Sequence, residues 1–199
     1  MRFSTKELLD FSVAWVVLGL AFGVLLAGGP QALLSGGAVV LAFLVGFATA
    51  GVGFLLHELA HKVVAVRFGQ VAEFRADYNM LVLTLLSAMA GFLVAAPGAV
   101  HHRGRVSLRE RGLISLAGPV TNLLLIVPFA AMMLASGELV RFVGEKGVLI
   151  NALLAAFNMA PYGPLDGRTV LKWNKAVFVA VFVPSLALAL FVFVGPLIV

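Results

Sequence analysis

The chain has 199 residues, of which 62% are hydrophobic and only 12% are charged. Soluble globular proteins carry about 25% charged residues, so this composition excludes an ordinary soluble domain and predicts a membrane protein. The sequence contains no cysteine, which excludes disulfides and thiolate metal ligands. The net charge of +5 fits basic loops that set membrane topology, and we expect no nucleic-acid partner.

The first apolar run, residues 8–27, is long enough to cross a bilayer, which takes about 20 residues. Arg2 and Lys6 precede it, as basic residues precede a signal peptide, but its length and the apolar residues that follow favour a retained helix. A second apolar run ends at a basic cluster that contains Lys62 and Arg67. Because basic loops stay inside, we expect the N-terminus and the end of the second helix to be cytoplasmic.

The next apolar stretch, residues 79–100, is followed by HHRGRVSLRER, the most basic segment of the chain. A single crossing would place this segment outside, against the positive-inside rule. We therefore expect residues 79–100 to form a re-entrant or interfacial element, with strands in the flanking residues 71–78 and 95–101. His101 and His102 lie among arginines, and we expect them to be solvated rather than to bind a metal.

Three further helices are predicted, over residues 112–136, from about residue 148 to Pro161, and over residues 176–199, with a polar loop at 137–147. The expected fold is an all-α polytopic membrane protein. It is a bundle of five to six transmembrane helices with a re-entrant or short β element near the cytoplasmic face. We expect a single domain, embedded in the lipid bilayer of the cell membrane.

The second apolar run contains HELAH, in which His57 and His61 are four residues apart. On a helix this spacing puts both imidazoles on one face, one turn apart, so that both can reach one ion. Glu58 is turned from His57 by about 100°, close enough to take a proton from a water at the metal. H-E-x-x-H is therefore a metal-hydrolase pattern. The alternative is a set of core polar residues bonded to neighbouring helices, but an ionisable glutamate in an apolar helix favours the metal site.

A catalytic zinc ion takes three protein ligands and leaves a fourth position open. The chain has three aspartates: Asp10, expected before the first helix, Asp77, expected after the second, and Asp166, in NMAPYGPLDG. The last string would also serve as a plain helix-ending turn. The loop charges favour Asp166 as the ligand, because Arg168 places it at the cytoplasmic end of its helix, the same depth as the end of HELAH.

Three strings together, HELAH, NMAPYGPLDG and AGPVTN, resemble the motifs of the site-2 proteases. This family comprises intramembrane zinc metalloproteases that cut membrane-anchored substrates. The second string is similar to the family's N-x-x-P-x-x-x-L-D-G and the third to its G-P-x-x-N, and all three occur in the family's order. The resemblance covers residues 43–177, the expected core of a single protease domain spanning residues 1–199.

The resemblance implies one zinc ion with three protein ligands: His57, His61 and Asp166. It implies that Glu58 is the catalytic glutamate, and that Asn158 helps to hold the substrate or the oxyanion. Asn122 matches a motif position with a structural or substrate-facing role. One departure is that residues 79–95 are longer than the membrane-dipping β-element of the family, so we expect the substrate channel to be built differently.

The predicted function is hydrolysis of peptide bonds within or near the transmembrane segments of membrane-anchored proteins, at a site near the cytoplasmic face. A substrate helix must unwind before its carbonyl groups can be attacked. A strand edge in residues 71–78 or 95–101 could hold the unwound segment by β-augmentation, although both segments would also serve as interfacial loops. The alternative function is non-catalytic: a transporter with a metal in its pathway, or an inactive protease relative that binds membrane partners.

Overall fold

The computed structural model describes residues 1–31 and 37–194. This part of the chain is mostly helical, and one π-helical turn, Phe47–Gly51, joins its second helix to its third. The helices are α1 (Thr5–Leu26), α2 (Gly37–Gly46), α3 (Val52–Arg67), α4 (Tyr78–Met89), α5 (Leu108–Met132), α6 (Glu138–Asn158), α7 (Asp166–Trp173) and α8 (Lys175–Val194). Two strands, β1 (Val71–Ala76) and β2 (Gly98–Arg103), form a two-stranded sheet.

Among the described residues, four helical segments are long and apolar enough to cross a membrane: Thr5–Leu26, Val39–Arg67, Leu108–Met132 and Lys175–Val194. Such segments are typical of a membrane protein. The predicted count of five to six spanning helices is not confirmed. The one expected helix that is absent from these four, the fourth in chain order, is present as α6, which has 21 residues but begins with a charged stretch. Residues 195–199, the end of the predicted last helix, lie outside the described residues.

The polar segment 137–147, predicted as a loop, is instead helical from Glu138 onward. The carboxylate of Glu138 lies in the first turn of α6, where a negative charge is favoured by the helix dipole. The Nζ atom of Lys146 lies 5.1 Å from the centroid of the Phe142 ring, one turn away on the same helix. The charges that indicated a loop therefore belong to the first half of a helix.

The chain divides into two compact units. The first consists of Met1–Leu55 with Ala72–His101, and the second of Leu56–Val71 with the described residues from His102 onward. One boundary between them falls inside α3. The expectation of a single domain over residues 1–199 stays a prediction.

In the first unit, α1 packs closely against α2 and the π-helical turn. A Cβ atom at Gly19 would lie 2.2 Å from the ring of Phe47, and one at Gly46 would lie 2.5 Å from the carbonyl oxygen of Gly19. Small residues of this kind let helix backbones approach each other. The indole N–H of Trp15 also donates to the carbonyl of Phe47, at 3.3 Å. Helix α1 thus packs tightly against α2 and the π-helical turn, the segment that leads directly into α3.

The first helix begins earlier than predicted, because Ser4 caps it by accepting the backbone N–H of Glu7 at 3.1 Å. Asp10, expected before the helix, lies inside α1 and is fully buried. Its Oδ1 atom accepts the hydroxyl of Tyr78 at 2.7 Å and lies 3.4 Å from Nζ of Lys6. These two donors satisfy Oδ1, and Nη1 of Arg75, 3.8 Å from Oδ2, places a positive charge beside the buried carboxylate.

The segment from 71 to 103 leaves the small sheet and returns to it. Asp77 follows β1 directly and caps α4 by accepting the N–H of Met80 at 3.0 Å. Its own N–H donates to the carbonyl of Pro97, next to the start of β2, at 3.1 Å. The end of one strand therefore meets the start of the other, as in an antiparallel pair. At 1.5 Å per residue the 12 residues of α4 reach about 18 Å, less than the roughly 30 Å of a hydrocarbon core. A helix of this length is too short to cross a bilayer alone, and it accounts for the extra length of residues 79–95. That residues 79–100 do not cross stays a prediction.

In the second unit, α6 packs against α5 and α8. A Cβ atom at Gly147 would lie 2.1 Å from the ring of Phe129 in α5. On another face of α6, Ala152 and Ala156 form a buried cluster with Ala189 of α8. These small residues bring α6 close enough to α5 for side chains in the two helices to form hydrogen bonds.

Candidate metal centre

The two histidines of HELAH lie on α3 and are both buried. Their ring centroids are 4.6 Å apart, and the ring planes are nearly perpendicular, at 83°. The carboxylate of Asp166 lies against both rings. Its Oδ2 atom is 3.3 Å from Nε2 of His57 and 3.2 Å from Nε2 of His61. The fold thus brings together the three residues predicted as ligands.

The spacing of these three atoms fits a zinc ion. One ligand atom from each residue lies within 4.8 Å of the others. Zinc binds nitrogen and oxygen at about 2.0–2.1 Å, so two ligands on a tetrahedron are about 3.4 Å apart, close to both distances to the Asp166 carboxylate. Three protein ligands would leave the fourth position open, as in a catalytic site.

Asp166 is present in the form that binds a metal. Burial alone would raise the pKa of its carboxyl group, but the charge of His61 and hydrogen bonds from both imidazoles outweigh burial and hold the pKa below its usual range. Metal ligands of this type must be deprotonated, because the proton and the metal compete for the same oxygen. The surroundings of Asp166 therefore favour the ligand form.

Backbone contacts place Asp166 at the first turn of α7. A Cβ atom at Gly167 would lie 1.9 Å from the carbonyl oxygen of Met159, so the D-G pair allows α7 to start directly against the end of α6. Val170, one turn further on, is buried in a cluster with Met159 and Phe178. The aspartate is thus held by a short helix that is anchored in apolar contacts one turn further on.

Helix α5 holds the outer nitrogens of both histidines. The Nδ1 atom of His57 lies 2.6 Å from Oδ1 of Asn122, and Nδ1 of His61 lies 2.7 Å from the carbonyl oxygen of Ile114. A carbonyl oxygen can only accept, so Nδ1 of His61 carries a proton, which leaves Nε2 as the nitrogen that can bind a metal. Metal-binding histidines typically donate their other N–H to a partner of this kind.

Gly118 lies midway between these two contacts on the same face of α5. A Cβ atom there would lie 2.4 Å from Nε2 of His57 and 2.5 Å from Nε2 of His61. The missing side chain therefore leaves free the space that both ligand nitrogens face. Gly118 was not predicted as a site residue, although it is the glycine of the string AGPVTN.

The chain is similar to named metalloproteases. It is 37% identical over 194 residues to a protein of Methanocaldococcus jannaschii called "Putative zinc metalloprotease MJ0611", and the match covers 96% of each chain. The chain belongs to this zinc metalloprotease family. It is also 33% identical over 141 residues to "Putative zinc metalloprotease YwhC" of Bacillus subtilis, a match that covers 61% of this chain and 64% of the relative.

A third relative is "Putative zinc metalloprotease Rip3" of Mycobacterium tuberculosis, 31% identical over 129 residues. That match covers 61% of this chain but only 29% of the relative, so the chain spans less than two thirds of both the Bacillus and the Mycobacterium proteins. No protein-family model matches the chain, and no solved structure matches it.

The remaining predicted residues of this metalloprotease lie in different surroundings. Glu58 is buried on α3, in the turn between the two histidines. Asn122 is fully buried and contacts His57, which fits a positioning role. Asn158 is the last residue of α6, and its side-chain amide donates to the carbonyl of Leu154 at 3.0 Å. The roles of Glu58 in catalysis and of Asn158 toward the substrate stay predictions.

One further site residue was missed by sequence reasoning. Asn151, on α6, is fully buried, and its Oδ1 atom accepts the side-chain amide of Asn122 at 2.9 Å. The only sequence signal that could have marked it is a lone asparagine in an otherwise apolar stretch of helix, where a polar side chain needs a partner.

Proposed function

We propose that this metalloprotease is an intramembrane protease of the site-2 type. It would hydrolyse peptide bonds within or near the transmembrane segments of membrane-anchored proteins. The observation that carries this proposal is the position of the metal centre: His57 and His61 lie on α3, which is part of the apolar segment Val39–Arg67 that is long enough to cross a bilayer. A hydrolytic site on such a helix is suited to substrates that share the same bilayer.

The proposed chemistry is divided between the metal and the chain. When bound, zinc would supply Lewis-acid chemistry that polarises the scissile carbonyl group and lowers the pKa of the attacking water. The ligands for this single ion are His57, His61 and Asp166. Glu58 accepts a proton from the attacking water and later passes it to the leaving amine. The carboxylate is required in this role because a neutral amide cannot accept the proton.

The proposed partners are membrane-anchored protein substrates, held in an extended form at the edge of the small sheet. One edge position of β1 is already occupied. The N–H of Phe74 donates to Oε1 of Glu7 at 2.9 Å, and its carbonyl accepts Nη1 of Arg75 at 3.3 Å. Side chains that satisfy edge groups in this way block strand addition. Of the two candidate segments, we therefore assign the substrate to the edge of β2.

The proposed location is the cell membrane, with several crossings and with the metal centre near the cytoplasmic face. The basic residues after α3 and after β2 support this orientation. Helix α6 would provide the fifth crossing, since its 21 residues are long enough and its charges are confined to its first half.

The proposal is tested by measuring zinc and cleavage on the same sample. Purified protein in detergent is expected to hold one equivalent of zinc and to cut a fluorescent transmembrane peptide in a chelator-sensitive reaction. Glu58→Gln is expected to keep the zinc and to cut more slowly by about 10²–10⁴-fold, the usual contribution of a general base. Glu138→Gln, at an exposed position of α6, is the matched control and should cut at the native rate.

Each alternative outcome has a distinct meaning. Cleavage by Glu58→Gln at the native rate would show that another group is the base. Loss of zinc in the same variant would give Glu58 a ligand or structural role. A native chain that holds zinc but leaves membrane-anchored proteins uncut, both in detergent and in membranes, would refute the protease and favour a metal transporter or an inactive relative.

A further inference from the structure

A chain of buried hydrogen bonds leads from His57 across two helices to a backbone carbonyl. Oδ1 of Asn122 lies 2.6 Å from Nδ1 of His57, and Nδ2 of Asn122 donates to Oδ1 of Asn151 at 2.9 Å. Nδ2 of Asn151 in turn donates to the carbonyl oxygen of Gly147, one turn earlier in α6, also at 2.9 Å. Both asparagines are 0% exposed.

We propose that Asn151 is a positioning residue, which sets the tautomer of His57 through Asn122. This inference rests on the proposed function, because it concerns the same metal centre. It assigns a role in metal binding to a residue that lies two hydrogen bonds away from the histidine.

The carbonyl of Gly147 decides which atom donates and which accepts in each of these hydrogen bonds. An asparagine side chain can be turned so that its oxygen and nitrogen exchange places, so the pair alone does not define a direction. The carbonyl of Gly147, however, can only accept, so Asn151 must face it with Nδ2. Oδ1 of Asn151 then faces Asn122 and accepts its amide. This leaves Oδ1 of Asn122 for the imidazole.

This series of hydrogen bonds ends at His57 and determines which of its ring nitrogens carries a proton. Because Oδ1 of Asn122 can only accept, Nδ1 of His57 must carry a proton, and Nε2, which lies against Asp166, is the nitrogen left to bind a metal. The opposite tautomer would turn an N–H toward the metal position and could not bind a cation. If both asparagine amides were turned over, Oδ1 of Asn151 would face the carbonyl oxygen of Gly147. Two buried acceptors would then face each other without a hydrogen bond, which is unfavourable.

Both histidines are thus oriented by a main-chain carbonyl, which cannot reverse its role. His61 meets the carbonyl of Ile114 directly, whereas His57 is connected to that of Gly147 through two side chains. The longer connection is the one that substitution can interrupt. We therefore expect Asn151 to control the ligand geometry of His57 while leaving that of His61 unchanged.

Two substitutions of Asn151 separate this role from a general contribution to packing. Asn151→Leu removes the acceptor that faces Asn122, so the direction of the Asn122 amide is no longer fixed. Asn151→Asp keeps an oxygen toward Asn122 in either protonation state, so the direction is retained, although a buried carboxyl group destabilises the fold more than leucine does. Ser185→Ala, which removes a buried polar group from α8, is the control.

Three quantities are measured on purified, metal-free protein in detergent. They are the zinc affinity by competition with a chelator, the unfolding temperature, and the ¹⁵N chemical shifts of labelled histidines, with the His57 signals assigned from His57→Gln. Loss of an outer hydrogen bond typically weakens metal binding by about 10–100-fold. We expect this loss in Asn151→Leu, together with a mixture of His57 side chains with and without a proton on Nδ1. Asn151→Asp should bind zinc within a few-fold of the native chain and keep a protonated Nδ1, despite its lower unfolding temperature.

The inference is overturned if Asn151→Leu binds zinc as tightly as the native chain, or if Nδ1 of His57 stays fully protonated in that variant. It is equally overturned if zinc affinity follows the unfolding temperature, with Asn151→Asp the weaker binder, because that order indicates a structural role. The proposed function is refuted by other results, namely a native chain that binds no zinc or cuts no substrate. In either case the proton on Nδ1 of His57 in the metal-free protein would still report on Asn151.

Discussion

Replacing Gly118 by alanine adds one methyl group at the point where α5 faces the metal centre. Its carbon would lie 2.4 Å from Nε2 of His57 and 2.5 Å from Nε2 of His61, whereas ordinary contacts of this kind begin at 3.4 Å. Each imidazole would therefore have to move by about 1 Å, several times the roughly 0.2 Å tolerance of a metal–ligand distance. Gly118→Ala should thus displace two ligands at once.

The expected loss of zinc affinity can be bounded from below. Removing one outer hydrogen bond of a ligand typically costs about 10–100-fold, and displacing two ligands must cost more. We expect a loss of at least about 100-fold, which corresponds to about 2.7 kcal/mol. The metal-free fold should be affected much less, because the imidazoles can turn aside and alanine is favoured over glycine inside a helix by about 1 kcal/mol.

The assay is zinc competition against a chelator, with the unfolding temperature of the metal-free protein measured in parallel. Gly137→Ala is the matched control, since its Cβ atom would meet only Val140, at 3.7 Å. It should leave zinc affinity unchanged. If Gly118→Ala binds zinc within threefold of the native chain, the space in front of Gly118 is not the metal position and the assigned geometry is wrong.

Two further predictions concern the third ligand and the topology. Asp166→Ala should lose zinc while Asp77→Ala, which removes only the cap of α4, should retain it; metal analysis of the two purified variants decides this, and full zinc occupancy in Asp166→Ala would remove the aspartate from the ligand set. Reporter tags inserted after Gly69 and after Arg105 should be found on the same face of the membrane, because the segment between them starts and ends at one sheet. Tags found on opposite faces would contradict this topology, and the membrane orientation assigned to every later helix would have to be reversed.

Local spacing explains why part of the site could be predicted from the sequence. His57 and His61 share a helix, so the geometry of one turn fixes their relation wherever that helix lies. Asp166 could be assigned because charges near the ends of apolar runs indicate depth, and depth brought it to the same level as HELAH. These inferences need no knowledge of which helices are neighbours.

Residues whose role depends on helix neighbours could not be predicted in this way. Asn151 acts through Asn122, 29 positions earlier in another helix, and Gly118 matters only because α5 faces two imidazoles. Asp10, expected before the first helix, lies inside it, and only the folded chain reveals the donors that its buried carboxylate meets. In each case the deciding contact joins segments that are distant in the sequence.

The pairing of α3 with α7 at the metal centre sets an order of events during synthesis. His57 and Asp166 are 109 positions apart, so at about 5–20 residues per second the aspartate is made roughly 5–20 s after the histidine. A growing chain therefore carries an incomplete ligand set while its first helices enter the bilayer, and firm retention of a metal should await the synthesis of α7. Hydrolytic competence would then arise only after assembly, which spares the nascent chain and its neighbours at the insertion site from premature cleavage.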